Sequence, residues 1–359
     1  MNETLHAAFL IIYFVNDEGE RTLQEIPELE NSTENIAGEE GFAEWMRQEV
    51  EPYLKEHDKE GDFSGKDGAK VHYHCYRLPE TQRCIVISHG FCEFAEKYNE
   101  VVYYFLRAGY SVYLPEHRGH GNSQRYVSDD QMVHVDDYAD YVEDFALFVK
   151  NVVVPCERER YLFAHSMGGA IGILTLEQYP ELFRAAVLSA PMCGIRTGIF
   201  PMWMADVIAT LCCLCGRGTH YALGQSGFCD TPQFEGSSCV SKERYHYIFE
   251  KRIENRQCRT SGGSYAWVHA GIGACRRLMK RKNLAKIDVP VLLFGAGREH
   301  MVINRKIRQF AERTRRTRLI WMPESRHEIF NADEASRRSY YKEIFAFFGG
   351  EILKSPKGE

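Results

Sequence analysis

The chain lacks an excess of basic charge: its 359 residues carry 44 Lys and Arg against 50 Asp and Glu, for a formal net charge of −6. A nucleic-acid binder usually presents a basic patch or stripe, and no long Lys/Arg stripe with interleaved aromatics is visible, so no nucleic-acid partner is expected. The sequence also lacks an apolar run of the roughly 20 residues that a membrane span needs. The stretch AAFLIIYFV at residues 7–15 is nine residues long. It has neither the basic flank nor the small-residue cleavage site of a signal peptide. A strand or short helix packed on the body of a cytoplasmic protein is expected there. The twelve cysteines are scattered, with one cluster, CCLC, at Cys212, Cys213 and Cys215. That cluster is not a zinc knuckle and lies in the apolar stretch MADVIATLCCLC, which predicts small core residues on a buried helix. Reduced thiols are expected, not disulfides.

What is present is alternation. After an irregular acidic start, Phe42, Trp45, Met46, Val50, Tyr53 and Leu54 recur at helical spacing. KVHYHCYR, RCIVISHG, SVYLPE, RYLFA and RAAVLSAP then read as strands. The intervening stretches YNEVVYYFLRAG, VDDYADYVEDFALFVKNVV and MGGAIGILTLEQYP read as helices. The rhythm stops after Pro191 and resumes at DVPVLLFGAG, followed by NRKIRQFAERT, TRLIWMP and SRRSYYKEIFAFFGG. Non-alternating apolar strands joined by helices predict an α/β fold, a mostly parallel sheet covered on both faces. The expected division is an N-terminal extension and helix (1–58), a first core part (59–194), an inserted cap (195–284) and a second core part (285–359). A cap in that position covers the carboxyl ends of the strands, where open α/β sheets bind ligands.

Ser166 follows a strand and opens a helix in YLFAHSMGGAI, as a nucleophile elbow requires. The usual pattern is G-x-S-x-G, and Ala164 stands at its first position. The requirement is steric smallness on both sides of the serine, which Ala164 and Gly168 meet. A serine needs a base and an orienting acid. These are expected after late strands: Glu299 after PVLLFGAG, and His327 after LIWMPESR. Asp288 is the weaker acid candidate because it precedes its strand. Backbone amides of Met167 and of Phe91, in the loop SHGFCE, are the candidate oxyanion donors. The loop EHRGHGNS (116–123) reads as a tight turn and buried polar scaffold in preference to a metal site, and HYHC (72–75), whose two histidines share a face, as a solvated strand face with metal binding as the alternative. The basic run at 305–318 reads as a solvated surface that could meet anionic lipid headgroups.

The strings SHGFCEFAEKY, PEHRGHGNS, HVDDYADYVEDF, LFAHSMGGAI, LSAPMCGI, SGGSYAWV and RHEIFNADEASRR run in order from about residue 60 to 350. Together they resemble the α/β-hydrolase fold, and more narrowly the bacterial lysophospholipases of the L-two type and the related monoacylglycerol lipases. The resemblance implies a serine esterase acting on a single-chain lipid ester, with Ser166, His327 and an acid as triad and Phe91 and Met167 as the oxyanion hole. It implies no cofactor and no metal. Glu299 stands where the family often has Asp. The cap, with GIFPMWMADVIATLCCL, is expected to line an acyl tunnel or merely to pack on the body. The alternatives on the same scaffold are a serine aminopeptidase or small-ester carboxylesterase, and a non-catalytic binding protein.

Overall fold

The computed structural model describes residues 14–15, 21–22 and 36–351. Phe14–Val15 pairs with Arg21–Thr22 as a short antiparallel ladder; the rest of the apolar stretch at 7–15 lies outside the described residues. The main sheet has eight strands. They are β1 (Asp58–Ser64), β2 (Lys70–Tyr76), β3 (Arg83–Ser88), β4 (Ser111–Pro115), β5 (Glu159–His165), β6 (Ala185–Ser189), β7 (Val291–Ala296) and β8 (Thr317–Met322). The spatial order is β8-β7-β6-β5-β3-β4-β2-β1. All pairings from β8 to β4 are parallel, and β2 and β1 add an antiparallel edge.

The central strands are buried on both faces. Side chains alternate along a strand, so Ile85 and Ile87 of β3 join one apolar cluster with Tyr161 and Phe163 of β5. Cys84, Val86, Leu162 and Ala164 join the other. The long helices are α2 (Asn99–Arg107), α3 (Ala139–Phe148), α4 (Ser166–Gln178), α8 (Asn304–Arg313) and α9 (Glu334–Ala346). Phe145, Ile171 and Leu174 cover one face of the sheet, while Val101, Phe105, Tyr340 and Ile344 cover the other.

Two local differences from the sequence expectation have physical causes. The first helix is interrupted by a π turn at Met46–Val50 before α1 (Glu51–His57). Pro52 has no N–H and its ring crowds the carbonyl four residues back, which widens the preceding turn. The strand β1, DKEGDFS, is missing from the sequence expectation. It is charged, contains Gly61 and is largely exposed, as suits an edge strand protected against pairing.

Between β6 and β7 lie α5 (Met202–Leu214), α6 (Lys242–Glu254) and α7 (Tyr265–Leu278). The expectation that α5 is buried is wrong. It packs on α7, and Ala205, Ile208 and Ala209 face a cavity. Its outer row, Trp203, Val207, Leu211 and Leu214, is exposed, Leu214 to 79%. Cys212 and Cys213 are half-buried and Cys215 is exposed. A single helix laid over a cavity has one face without protein on it. By contrast α6 docks on the core: Arg244 donates to both oxygens of Glu100 (2.7 and 2.6 Å) and lies 4.0 Å above the Phe42 ring.

Glu177 on α4 is buried, and its Oε1 has no hydrogen-bond partner. Burial raises its pKa to about 8, against a partial pull downward from Arg277 and Lys286. The folded state therefore holds a proton that the unfolded chain has released. Stability should fall as pH rises from the ordinary carboxylate range to about 8. Glu177→Gln is expected to raise the Tm at pH 8.5 by several degrees and to change it little at pH 4, as scanning calorimetry would show.

Candidate active site

The strand order reverses at β3, where β4 lies on one side and β5 on the other. Such a switch point opens a crevice at the carboxyl ends of the strands, and the loops leaving β3 and β5 meet there. At the end of β5, Ser166 has φ +52° and begins α4. Few residues other than glycine occupy this region, and holding one there stores strain. The surrounding glycines are required. A Cβ on Gly168 would lie 2.1 Å from the Ser88 carbonyl oxygen, and one on Gly169 would lie 2.6 Å from Pro191 Cβ. Gly172 packs against the same strand: a Cβ added there would lie 2.9 Å from Leu162 Cδ2 and 3.2 Å from the Ala164 methyl. The helix gives up a side chain where the strand carries one.

His327 follows β8, and its Nε2 lies 2.7 Å from Ser166 Oγ. Its Nδ1 lies 2.7 Å from Glu299 Oε2. With a carboxylate on Nδ1, that nitrogen carries the proton, and Nε2 is left to accept from the serine. Glu299 Oε1 accepts the amides of Met301 (2.6 Å) and Val302 (3.2 Å). Burial pushes the Glu299 pKa up, but the hydrogen bond and charge of His327 and the two amides outweigh it, so the net direction is down. Glu299 is thus an ionised acceptor. Asp288 precedes β7, at the opposite end of that strand, where its carbonyl accepts Arg316.

Phe91, in the loop after β3, lines the same cavity as Ser166, and Met167 follows the serine in the chain. Met167 lies in the first turn of α4, where amides have no intrahelical acceptor. Among the described residues, neither amide donates to another group of the chain. The loop carrying Phe91 is held by histidines. His89 Nε2 accepts the His117 amide (2.8 Å), and His120 Nε2 accepts the Cys92 amide (3.2 Å). Burial lowers the pKa of His89, His117 and His120, leaving three neutral rings as scaffold.

Sequence reasoning missed the polar cluster beneath this loop. Glu93 accepts the Gly90 amide, the Tyr98 hydroxyl (2.6 Å) and Lys97 Nζ (2.6 Å). Lys97 also reaches Glu328 (2.8 Å), the residue after His327. Burial opposes the Glu93 charge, but the Lys97 ammonium outweighs it, with help from the Tyr98 hydroxyl, and holds the carboxyl well below its ordinary range. The only signal in the sequence was the four-residue spacing of Glu93 and Lys97, which reads as a solvated helix pair. His165, adjacent to the serine, is pushed down to about 4 by burial and so stays neutral beside His327.

Ser166 opens into a cavity of about 300 Å3. Its walls come from Phe91, Met192, Ile195, Phe200, Ile208, Trp267 and Val268, among others, and no Asp or Glu is among the lining residues. Trp267 of α7 packs on the Phe91 ring, with centroids 4.1 Å apart. A second cavity, lined by Lys97, Arg252 and Glu328 with several polar residues, does not include Ser166.

A covered parallel sheet with a left-handed serine at its switch point is the architecture of an α/β-hydrolase, and this chain falls in that class. It belongs to the serine aminopeptidase (S33) family of hydrolases, whose model matches residues 79–334. It is 31% identical over 276 residues to lysophospholipase L2 of Escherichia coli (strain K12), covering 76% of this chain and 80% of that protein. It is 33% identical over 153 residues to monoacylglycerol lipase of Mycolicibacterium smegmatis, covering 41% and 51% of the two chains. Among solved structures, a soluble variant of monoglyceride lipase from Saccharomyces cerevisiae matches with a TM-score of 0.62 at 16% identity, over 81% of this chain and 94% of that one. A thermostable carboxyl esterase from Bacillus coagulans matches with a TM-score of 0.67 at 18% identity, over 82% and 99%. At these identities the structural likeness concerns the fold.

Proposed function

We propose that this carboxylic ester hydrolase cleaves the acyl ester of a single-chain lipid, a lysophospholipid or a monoacylglycerol. The observation that carries the proposal is the cavity at Ser166, with apolar walls and no carboxylate among its lining residues. An aminopeptidase needs an anion to hold the substrate α-amine. Of the cap acids, Asp206 is already paired with His269 and Arg276, and Asp230 and Glu235 are exposed outside the lining. The lysophospholipase and lipase relatives support the same choice.

In the proposed mechanism His327 Nε2 takes the Ser166 hydroxyl proton as Oγ attacks the ester carbonyl. The developing oxyanion is received by the Phe91 and Met167 amides. His327 returns the proton to the departing glycerol or glycerophospho oxygen, leaving the acyl chain on Ser166. Water then gives a proton to His327 as its oxygen attacks the acyl carbon; His327 passes that proton to Ser166 Oγ as the acyl–oxygen bond breaks, the fatty acid leaves and the free serine is restored. Glu299 keeps the imidazole oriented and stabilises its cation throughout.

Lipid substrate must reach the cavity from a surface. No described helix is long and apolar enough to cross a membrane. We assign the peripheral lipid contact to the exposed row of α5 and not to the basic run at 305–318. Several of those arginines are already engaged: Arg308 lies 4.5 Å over Trp321, Arg313 donates to the Met279 carbonyl, and Arg318 pairs with Glu343.

Each buried methylene contributes about 0.8 kcal/mol, so kcat/KM on p-nitrophenyl esters should rise up to about fourfold per methylene until the cavity is full. Lysophosphatidylcholine, lysophosphatidylethanolamine and monoacylglycerol, assayed beside aminoacyl amides, complete the test. Faster cleavage of the amides, or a profile that peaks at acetate, would reject the lipid reading.

A further inference from the structure

We propose that His72, His74 and Glu116, joined by Glu60, form a binding site for one divalent transition-metal ion of the zinc type, separate from the catalytic residues. The β1–β2 register opposes Asp62 to His72 and Glu60 to His74. Side chains two apart on a strand share a face, so Asp58, Glu60 and Asp62 confront His72 and His74. The face expected to be solvated is not: the His72 and His74 side chains are only 11% and 10% exposed. The segment that follows β4 covers them and contributes Glu116, whose amide donates to the His72 carbonyl.

The arrangement is that of a metal site with its outer shell in place. His72 Nδ1 lies 2.8 Å from Asp62 Oδ1, and His74 Nδ1 lies 2.8 Å from Asp58 Oδ2. Metal-ligating histidines are commonly held this way, by a carboxylate on the nitrogen that does not bind the ion. Ligand atoms of His72, His74 and Glu116 all lie within 4.8 Å of one another. Glu60 stands beside them: its Oε2 is 3.7 Å from His72 Nε2, and Asp58, Glu60 and His74 form a second group of ligand atoms within 4.8 Å of one another. Bonds of 2.0–2.2 Å in a tetrahedron place ligand atoms about 3.3–3.6 Å apart, so the three ligands would draw together on binding, with Glu60 the nearest residue to complete the shell.

Two observations point to an ion. His72 Nε2 is buried without a hydrogen-bond partner, a costly state for a polar atom. Glu116 is set in a cradle: its oxygens accept the Ala95 amide (3.1 Å) and the Asn122 amide (2.6 Å), and a Cβ on Gly121 would lie 1.9 Å from it. Each carboxylate oxygen keeps a lone pair for a ligand. Two imidazoles with carboxylates suit zinc better than calcium or magnesium, which prefer all-oxygen shells. A bound ion would tie the edge hairpin to the segment after β4 and, through Ala95, to the loop that carries Phe91.

The test uses the untagged full chain with its exposed thiols, Cys156, Cys215 and Cys229, alkylated. Zn2+ is titrated calorimetrically into chelator-treated protein, and Co2+ replaces it as a spectroscopic probe of tetrahedral geometry. Expected are one equivalent of Zn2+, a rise in Tm on binding, and loss of both in His72→Ala. Asp62→Asn, at a largely exposed position, should weaken affinity by about 10–100-fold while leaving the metal-free Tm nearly unchanged. No stoichiometric binding by the wild type, or equal binding by folded His72→Ala and Asp62→Asn, overturns the proposal and leaves an ion-pair network alone.

Discussion

Ser166→Ala is expected to lower ester turnover by about 10^5–10^6-fold with the fold unchanged. The substitution removes the proposed nucleophile, while leaving the Phe91 and Met167 amides and the cavity walls. Those remaining parts should sustain a residual rate of about 10^3–10^4 over water. Stability should hardly change. Ser166 Oγ contacts His327 Nε2 and Ser166 lines the cavity, so a water can take the place of the hydroxyl, and alanine meets the same backbone cost at φ +52° as serine does. The measurements are steady-state hydrolysis of a p-nitrophenyl ester, near-ultraviolet circular dichroism, and labelling by a fluorophosphonate probe. Wild type should label and the variant should not. A variant within tenfold of wild type would move the nucleophile elsewhere. Folded wild type that resists the probe would favour a binding protein on this scaffold.

The parts legible in the sequence are those where one physical cause dominates. β3, β4, β5, β6 and β7 are short apolar runs because both faces are covered. Ser166, Glu299 and His327 could be singled out because each follows a strand, and the fold brings strand ends together. They meet at 2.7 Å in each link. What was illegible depends on partners far away in sequence. The row on α5 looks like core because composition cannot say which side of a helix has protein against it. Glu93, Lys97 and Glu328 look like surface charges because their burial comes from a partner 231 residues away. β1 carries an edge strand's charges, which resemble a loop's. His72 and His74 were visible as a shared face, but the cover from Glu116 was not. Ala164 shows the limit of motif reading: its methyl is accommodated beside Gly172, eight positions later, where a Cβ would crowd both Leu162 and Ala164.

Glu299→Gln is expected to cut kcat by about 10^3–10^4-fold, with KM little changed. Glu299 Oε1 accepts two backbone amides, from Met301 and Val302. A glutamine must keep its carbonyl oxygen there, because an NH2 group in that place would oppose two donors. Its NH2 is then forced onto His327 Nδ1, 2.7 Å away in the native pair. That nitrogen must become the acceptor, so the proton moves to Nε2. The imidazole then points an N–H at Ser166 and cannot take its proton. Glu299→Asp keeps the charge but withdraws it by one methylene. It cannot hold both amides and His327 at native distances, so its loss should be smaller, about 10–100-fold. The pH dependence separates charge from position. The native Glu299 carboxyl titrates below its ordinary range, so its stabilising share is present at neutral pH and is lost only as pH falls through the lowered pKa. The aspartate variant should keep such an acid-side loss of stability and the glutamine variant should lack it. Near-native turnover in Glu299→Gln would show that the orienting acid is another residue, whatever the geometry around His327.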